Sequence, residues 1–258
     1  MTVPTTPDLR AIAALLSDAE SALFITGAGL SADSGLPTYR GIGGLYEDND
    51  TEEGLPIEAM LSGTMMRRAP EKTWKYIHQI ERACRGAAPN AAHEFITWLS
   101  GRVPRTVVLT QNVDGLHDAA GNPTVIAIHG DVHDLRCTRC DWKERVANYT
   151  ALEATPRCPR CATVIRPEVV LFGEALPSRA VAQLELQLQR GFDVVFTVGT
   201  TSVFPYIAYP VVRARELRVP TVEVNPGESD VSHIVDYRVR AGAAETFSAV
   251  RALMETTP

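Results

Sequence analysis

Four of the five cysteines have the spacing of a metal site. Cys137 and Cys140 form one Cys-x-x-Cys pair, Cys158 and Cys161 form another, and 17 residues separate the pairs. Two such pairs about 15 to 20 residues apart are typical of a zinc ribbon. Four thiolates fill a tetrahedral zinc site and leave no place for water, so the metal would fold a module rather than catalyse. The alternative is four unrelated structural cysteines.

One histidine stands where a general base could act. His129 follows the apolar run 124–128 and precedes Gly130. The segment 110–117 also begins at the end of an apolar run, and it offers an amide pair and a carboxylate. Strand ends open into the ligand crevice of α/β sheets, and neutral imidazole is a usable base near pH 7. These segments therefore predict a shared catalytic crevice.

A glycine turn follows the first apolar run. Residues 27–32 read Gly-Ala-Gly-Leu-Ser-Ala, a spacing that lets backbone amides approach a pyrophosphate at a helix N-terminus. The same spacing also fits a plain turn. A dehydrogenase would need an acidic residue about 20 positions later, at the end of a second strand. Glu47 and Asp48 lie at that distance but within an irregular segment, which disfavours hydride transfer.

Short apolar runs alternate with amphipathic segments along the chain. This alternation predicts an α/β fold with a doubly wound parallel sheet. The predicted strands are 22–26, 106–110, 124–128, 194–198 and 219–224. The predicted helices are 8–19, 71–84, 91–99 and 178–190. Cys84 and His93 fall on such helices, where we expect them to be structural.

Length and charge exclude several classes of protein. The 258 residues fit one large domain, alone or with a small module, and the net charge is −6. An acidic balance disfavours nucleic acid as the main partner. No uninterrupted apolar run is long enough for a membrane span, and no cleavable signal is visible. We therefore expect a cytoplasmic protein with no membrane partner, in a reducing compartment where paired cysteines bind metal.

Two regions depart from the alternating pattern. Residues 136–166 hold seven basic and three acidic residues, which gives +4 locally and leaves −10 for the rest. The segment 41–63 is rich in glycine and acidic residues and has little amphipathic period. A loop of that length is typical of a functional lid, and a solvated acidic loop is the alternative.

Taken together, the motifs resemble the sirtuin family of NAD-dependent protein lysine deacylases. The match begins with GAGLSADSGLPTYRG at 27–41, TQNVDGLH at 110–117 and HG at 129–130. It continues with both cysteine pairs, RPEVVLFGE at 166–174, VGTT at 198–201 and VNP at 224–226. The blocks occur in the family's order and span about residues 20 to 247.

The resemblance implies a two-part architecture with NAD in the cleft between the parts. It gives a Rossmann-like NAD-binding domain from residues 7–40, 85–132 and 167–250. It also gives a cofactor-binding loop at 41–66 and a structural zinc ribbon at 133–166.

The resemblance also assigns the residues that bind NAD. The pyrophosphate and ribose side takes Gly27, Ala28, Gly29, Ala32, Asp33, Pro37, Thr38, Tyr39 and Arg40. The nicotinamide side takes Gln111, Asn112, Val113 and Asp114, next to His129. The adenosine side takes Gly199, Thr200, Thr201, Asn225, Pro226 and Ala243.

In the implied reaction the acyl oxygen attacks C1′ of the nicotinamide ribose, nicotinamide leaves and an alkylamidate forms. His129 then acts as general base on the ribose hydroxyls, with Asn112 and Asp114 as further catalytic residues, and O-acyl-ADP-ribose is released. The acyl-lysine side chain would lie among Val170, Phe172, Gly173 and Val203, and the peptide would add as a strand.

The chain departs from the family pattern at several positions. Tyr39 replaces the usual Phe, Asp131 replaces Ser or Thr, and the stretch 200–205 is one residue shorter. Members that prefer acidic acyl groups have a Tyr-x-x-Arg pair where Ile77 and Ile80 stand here. We therefore expect acetyl or other neutral acyl groups.

Three alternatives stay open. A mono-ADP-ribosyltransferase would use the same cleft and pass ADP-ribose to a protein. A non-catalytic NAD-binding protein would keep the glycine turn, and a zinc-ribbon nucleic-acid binder would use the local +4. The oligomeric state has no signal in the sequence.

Overall fold

The computed structural model describes residues 7–38 and 51–256. Within these ranges the strands are β1 (Ser21–Thr26), β2 (Arg105–Thr110), β3 (Val125–Ala127), β4 (Gly130–Cys137), β5 (Lys143–Arg145), β6 (Ile165–Val169), β7 (Val194–Val198), β8 (Thr221–Val224) and β9 (Tyr237–Val239). The helices are α1 (Pro7–Asp18), α2 (Ala28–Ala32), α3 (Ile57–Met60), α4 (Gly63–Arg68), α5 (Pro70–Cys84), α6 (Ala91–Ser100), α7 (Leu116–Ala119), α8 (Ser178–Arg190), α9 (Pro205–Glu216) and α10 (Ala243–Thr256).

Six strands form one parallel sheet in the order β3-β2-β1-β7-β8-β9. The strand order reverses between β1 and β7, which is the topological switch point of a doubly wound sheet. The predicted fold class is confirmed. Ligands of such sheets bind outside the carboxyl ends of the strands at this point.

Helices cover both faces of the sheet because its central strands are apolar on both sides. Phe24 and Phe196 stack at 4.7 Å on the face that α1, α6 and α10 cover. Leu23 and Ile25 point to the other face, where α8 and α9 pack. Burial of each such side chain contributes about 1.5–3 kcal/mol, so apolar packing on both faces holds the central strands in place.

A smaller unit surrounds the antiparallel sheet β5-β4-β6. Its apolar core combines residues of this sheet with residues of α3, α4 and α5. Trp74 of α5 is fully buried there, and its indole N–H donates to the Ile165 carbonyl at 2.9 Å. The core of the smaller unit therefore includes residues outside the predicted 133–166 ribbon. The predicted domain ranges stay a prediction.

Tyr39, Arg40 and residues 41–50 of the predicted cofactor loop lie outside the described residues. Residues 51–66 of that loop include α3 and the start of α4. Lys75 of α5 pairs with Glu52 at 2.8 Å and with Glu53 at 2.7 Å. No helix in the described ranges is long and apolar enough to cross a bilayer.

Candidate active site

The strands of the main sheet end in register at one edge. Thr26 pairs with Thr110 of β2 and with Val198 of β7, and Val198 pairs with Val224 of β8. The segments that follow these strands therefore meet at the switch point. They contain most of the residues predicted to bind NAD.

Glycines bring the turns after β1 and β7 into backbone contact. The Gly27 amide donates to Val198 at 3.0 Å, and the Gly29 amide donates to Gly199 at 2.8 Å. A Cβ atom on Gly29 would lie 2.7 Å from the Gly199 Cα, closer than such atoms approach. Gly199 also has a φ of +57°, which favours glycine. The glycine spacing thus serves the close approach of the two turns.

An amide and a carboxylate converge on the helix after the glycine turn. The Asn112 side chain donates to the Gly27 carbonyl at 3.1 Å and to the Ser31 hydroxyl at 3.0 Å. The Ser31 hydroxyl in turn donates to Asp114 at 2.7 Å. Ser31 is buried and was not among the predicted site residues, although it lies within the glycine motif.

Thr200 follows β7 and is hydrogen-bonded to residues that follow β2 and β8. The Gln111 amide donates to the Thr200 hydroxyl at 2.7 Å, and the Asn225 amide donates to the Thr200 carbonyl at 3.0 Å. Asp33 follows α2 and contacts the start of α10. Its carboxylate accepts from the Ala244 amide at 2.9 Å, next to Ala243. The other predicted residues of these segments are Ala28, Ala32, Pro37, Thr38, Val113, Thr201 and Pro226.

His129 follows β3 and is held by both ring nitrogens. Nδ1 lies 3.0 Å from the Gln111 carbonyl oxygen, and Nε2 lies 2.7 Å from the Tyr206 hydroxyl. Since a carbonyl can only accept, Nδ1 holds the proton and Nε2 has the lone pair. Burial lowers the pKa of His129, so the ring is neutral at pH 7.

Two aromatic side chains that the sequence did not single out lie next to His129. Phe204 and Tyr206 both meet the imidazole edge to face, at 5.8 and 5.9 Å between ring centres. The two aromatic rings stack on each other at 5.5 Å. Their partner lies more than 70 positions earlier in the chain, which no local pattern shows.

Of the four predicted acyl-lysine residues, Val170 contacts His129 through its backbone. The Val170 amide donates to the His129 carbonyl at 2.9 Å. Phe172 pairs with Leu61 and Gly63 through its backbone, and its side chain is 40% exposed. Gly173 adopts a φ of +78°, and Val203 is 60% exposed. Two exposed apolar side chains thus lie on segments that adjoin the base.

The two cysteine pairs come together as the spacing predicts. Their four sulfur atoms lie within 4.8 Å of one another. The Cys137 and Cys161 sulfurs are 3.4 Å apart, and those of Cys140 and Cys158 are 3.6 Å apart. A zinc tetrahedron with bonds of about 2.3 Å has edges of about 3.8 Å, so the cluster fits Zn²⁺.

The polar groups at the switch point fit a dinucleotide. The set of amides, hydroxyls and a carboxylate on Gln111, Asn112, Asp114, Thr200 and Asn225 can hydrogen-bond both ribose hydroxyls and a carboxamide. In Rossmann-type sheets a dinucleotide lies across this position. NAD is therefore the cofactor that the site fits.

Comparison with known proteins identifies the family of this chain. The sequence model of the Sir2 family matches residues 27–205. An "NAD-dependent protein deacylase 2" of Pseudomonas aeruginosa is 49% identical, over 92% of this chain and 93% of the relative. An "NAD-dependent protein deacylase" of Thermococcus sibiricus is 37% identical, over 87% and 88%.

Solved structures extend the likeness to the whole fold. A Sir2 homologue in complex with NAD has a TM-score of 0.83 at 30% identity and covers 95% of this chain and 93% of its own. A Sir2 complex with a deacetylated p53 peptide and 3′-O-acetyl ADP ribose has a TM-score of 0.84 at 27% identity, covering 95% and 97%. With the strand-end site, the cysteine cluster and these matches in agreement, the chain belongs to the Sir2 family, the sirtuins.

Proposed function

We propose that this chain is an NAD-dependent protein lysine deacylase in which His129 is the general base. The observation behind this is the 3.0 Å contact of His129 Nδ1 with the Gln111 carbonyl oxygen, which makes Nδ1 the donor and leaves the lone pair on Nε2. Relatives up to 49% identical have the name of the same activity. The reaction consumes NAD and releases nicotinamide and O-acyl-ADP-ribose.

The residues at the switch point hold and orient NAD. Bound NAD supplies an electrophilic ribose carbon from which nicotinamide can leave. Gln111, Asn112 and Asp114 hold the nicotinamide side. The Gln111 carbonyl oxygen lies 3.0 Å from Nδ1 of His129. Thr200, Asn225 and Ala243 hold the adenosine side, and Asp33 belongs to the pyrophosphate and ribose side. Tyr39 and Arg40 belong to the same proposed set.

His129 removes a proton from a ribose hydroxyl after nicotinamide has left. Its neutral state at pH 7 means that Nε2 has a lone pair without prior deprotonation. The Asn112 and Asp114 side chains are locked onto Gly27 and Ser31, so they position the nicotinamide side rigidly. Removal of a general base typically lowers the rate about 100- to 10,000-fold.

The acyl-lysine chain enters beside Phe172 and Val203, and Val170 and Gly173 complete its channel. A peptide strand beside these segments gains affinity from backbone hydrogen bonds and needs little sequence recognition. Ile77 and Ile80 are buried in the apolar core of the smaller unit and offer no cation. We therefore expect acetyl and other neutral acyl groups to be preferred over succinyl.

The zinc-binding unit and the loop 41–66 complete the proposed architecture. Zinc folds the unit at 133–166, and the loop closes over NAD. The Rossmann-like part comprises 7–40, 85–132 and 167–250. Free thiols that bind zinc need a reducing compartment, which supports the expected cytoplasmic location.

One assay tests the function. The purified chain is incubated with NAD and an acetyl-lysine peptide, and nicotinamide, deacetylated peptide and O-acetyl-ADP-ribose are quantified together. We expect all three in equal amounts, with little product from a succinyl peptide. His129→Ala should lose deacylation about 100- to 10,000-fold and still bind NAD. Near-normal turnover by that variant would exclude His129 as the base.

The same assay separates deacylation from mono-ADP-ribosyl transfer. With NAD labelled in its adenosine part, a deacylase leaves the label on O-acetyl-ADP-ribose. A mono-ADP-ribosyltransferase leaves it on protein instead. Label on protein without deacetylated peptide would replace the deacylase proposal with the transferase.

A further inference from the structure

We propose that Tyr206 is a second residue of the acid–base machinery, and that its hydroxyl passes the proton of a substrate hydroxyl to His129. The inference rests on the proposed function, in which His129 is the base. It concerns the group that contacts Nε2 of this base.

A directed chain of hydrogen bonds runs through the imidazole. Nδ1–H donates to the Gln111 carbonyl at 3.0 Å, which fixes the ring and its tautomer. The lone pair at Nε2 must then accept, so the Tyr206 hydroxyl donates to it at 2.7 Å. The Gln111 contact already orients the ring. Tyr206 adds a second contact to the ring, at the lone pair that does the chemistry.

The Tyr206 ring is held in place rather than free to swing aside. It follows Pro205 in the first turn of α9 and stacks on Phe204, with ring centres 5.5 Å apart and planes 12° apart. It also meets the His129 ring edge to face. In the described part of the chain, His129 is the one hydrogen-bond partner of the Tyr206 hydroxyl. The oxygen lone pairs of this hydroxyl thus accept from no donor among the described residues.

Both groups are in the protonation state that a relay requires. Burial raises the pKa of Tyr206, so the phenol keeps its proton at neutral pH. Burial lowers the pKa of His129, so the imidazole is neutral. In the relay, the substrate O–H bond breaks as its proton moves to the Tyr206 oxygen, and the phenol proton moves to Nε2. Tyrosine is neutral again, His129 is an imidazolium, and the substrate oxygen is a nucleophile.

Tyr206→Phe tests the relay, because it removes one oxygen and keeps the ring stack. Tyr209→Phe is the matched control, since Tyr209 is on the same helix, is 51% exposed and bonds only to Arg213 among the described residues. Two steps are measured separately. Exchange of labelled nicotinamide into NAD reports the first step, and O-acetyl-ADP-ribose formation reports the step that needs the base.

We expect Tyr206→Phe to slow O-acetyl-ADP-ribose formation about a hundredfold and to leave nicotinamide exchange within about twofold. Tyr209→Phe should match the wild type in both. Unchanged or faster product formation by Tyr206→Phe would mean that the hydroxyl merely caps the base, which overturns the relay. Equal losses in both steps would indicate a structural role and also overturn it. Absence of NAD turnover by the wild type would instead refute the proposed function.

A measurement without NAD or peptide tests the hydrogen bond itself. In protein with ¹⁵N-labelled histidine, the His129 Nε2 resonance, assigned with His129→Ala, should move in Tyr206→Phe toward the position of a free lone pair. It should not move in Tyr209→Phe. An unchanged resonance in Tyr206→Phe would show that the hydroxyl does not donate to Nε2, and the relay would fail on that ground alone.

Discussion

Arg145 of β5 donates to the Asp131 carboxylate at 2.8 Å, and Asp131 stands two residues after His129. Asp131 also accepts from the His133 backbone amide and from His133 Nδ1, each at 2.8 Å. Burial acts to raise the pKa of Asp131, but the bonds from His133 and Arg145 outweigh it and lower the pKa. This carboxylate joins the smaller unit to the segment that contains the base.

Asp131→Asn should destabilise the protein by about 1.5–3 kcal/mol, because it removes an ionised acceptor from three donors at a buried position. Urea unfolding at pH 7 measures the change. Asp134→Asn is the control, since Asp134 also pairs with Arg145 at 2.8 Å but is 40% exposed. An exposed pair contributes about 0–1 kcal/mol. Equal losses in the two variants would show that burial of Asp131 is unimportant.

Zinc removal should unfold the smaller unit. Among the described residues, the four cysteine sulfurs form the cluster that could hold a metal ion. Metal binding at such sites supplies folding free energy. We expect one zinc per chain by metal analysis and a marked loss of thermal stability with a chelator. Cys137→Ser should lose the zinc.

Cys84→Ser is the control for the cysteine chemistry. Burial raises the pKa of the Cys84 thiol to about 12, so it stays protonated at neutral pH and lies apart from the cluster. We expect this variant to retain one zinc per chain. Folded wild-type protein without zinc would contradict the proposed ribbon.

Gly199→Ala should be far more damaging than Gly121→Ala. Both glycines have positive φ, +57° and +76°, so alanine incurs about 1–2 kcal/mol of backbone strain at either position. A Cβ atom at 199 would also lie 2.3 Å from the Leu30 nitrogen, whereas at 121 nothing lies within 4 Å. Thermal unfolding compares the two, and the excess loss at 199 measures the contact between the two turns. Equal stabilities would show that the turns separate at little cost.

The strand ends of the site could be predicted because their strands are apolar on both faces. Such runs identify β1, β2 and β7 directly, and parallel strands place their carboxyl ends at one edge. That placement predicts Gln111, Asn112 and His129 in one crevice. The glycine spacing likewise predicts the turn after β1.

Other features depend on pairs that lie far apart in the chain. Strand β9 is short and half-exposed, and Arg238 within it pairs with the buried Glu223 of β8 at 2.9 Å. Helix α9 contains Pro210 and exposes Tyr209, so its apolar period is weak. The bond between Tyr206 and His129 joins residues 77 positions apart. Neither these two elements nor the bond leaves a clear local pattern, so the sequence does not predict them.

Acidification should weaken the fold partly through His93. Its Nδ1 accepts from the Asn90 amide at 3.2 Å, its Nε2 has no partner among the described residues, and its ring lies 4.8 Å from that of His117. Burial lowers the pKa of His93 to about 3, whereas an unfolded histidine titrates near 6.5. Between these values the unfolded chain binds the extra proton. The free energy of unfolding therefore falls as the pH falls, by up to about 1.4 kcal/mol per pH unit.

His93→Gln isolates this contribution, since a glutamine at this position can still accept from the Asn90 amide and keep the helix cap. Urea unfolding between pH 4 and 7 should give a shallower pH dependence for His93→Gln than for the wild type. His233→Gln, at an exposed position, should keep the wild-type dependence. Carboxylates contribute to the acid dependence of all three proteins, so the difference between slopes is the relevant quantity. Identical slopes for the wild type and His93→Gln would mean that His93 takes up its proton within the folded protein.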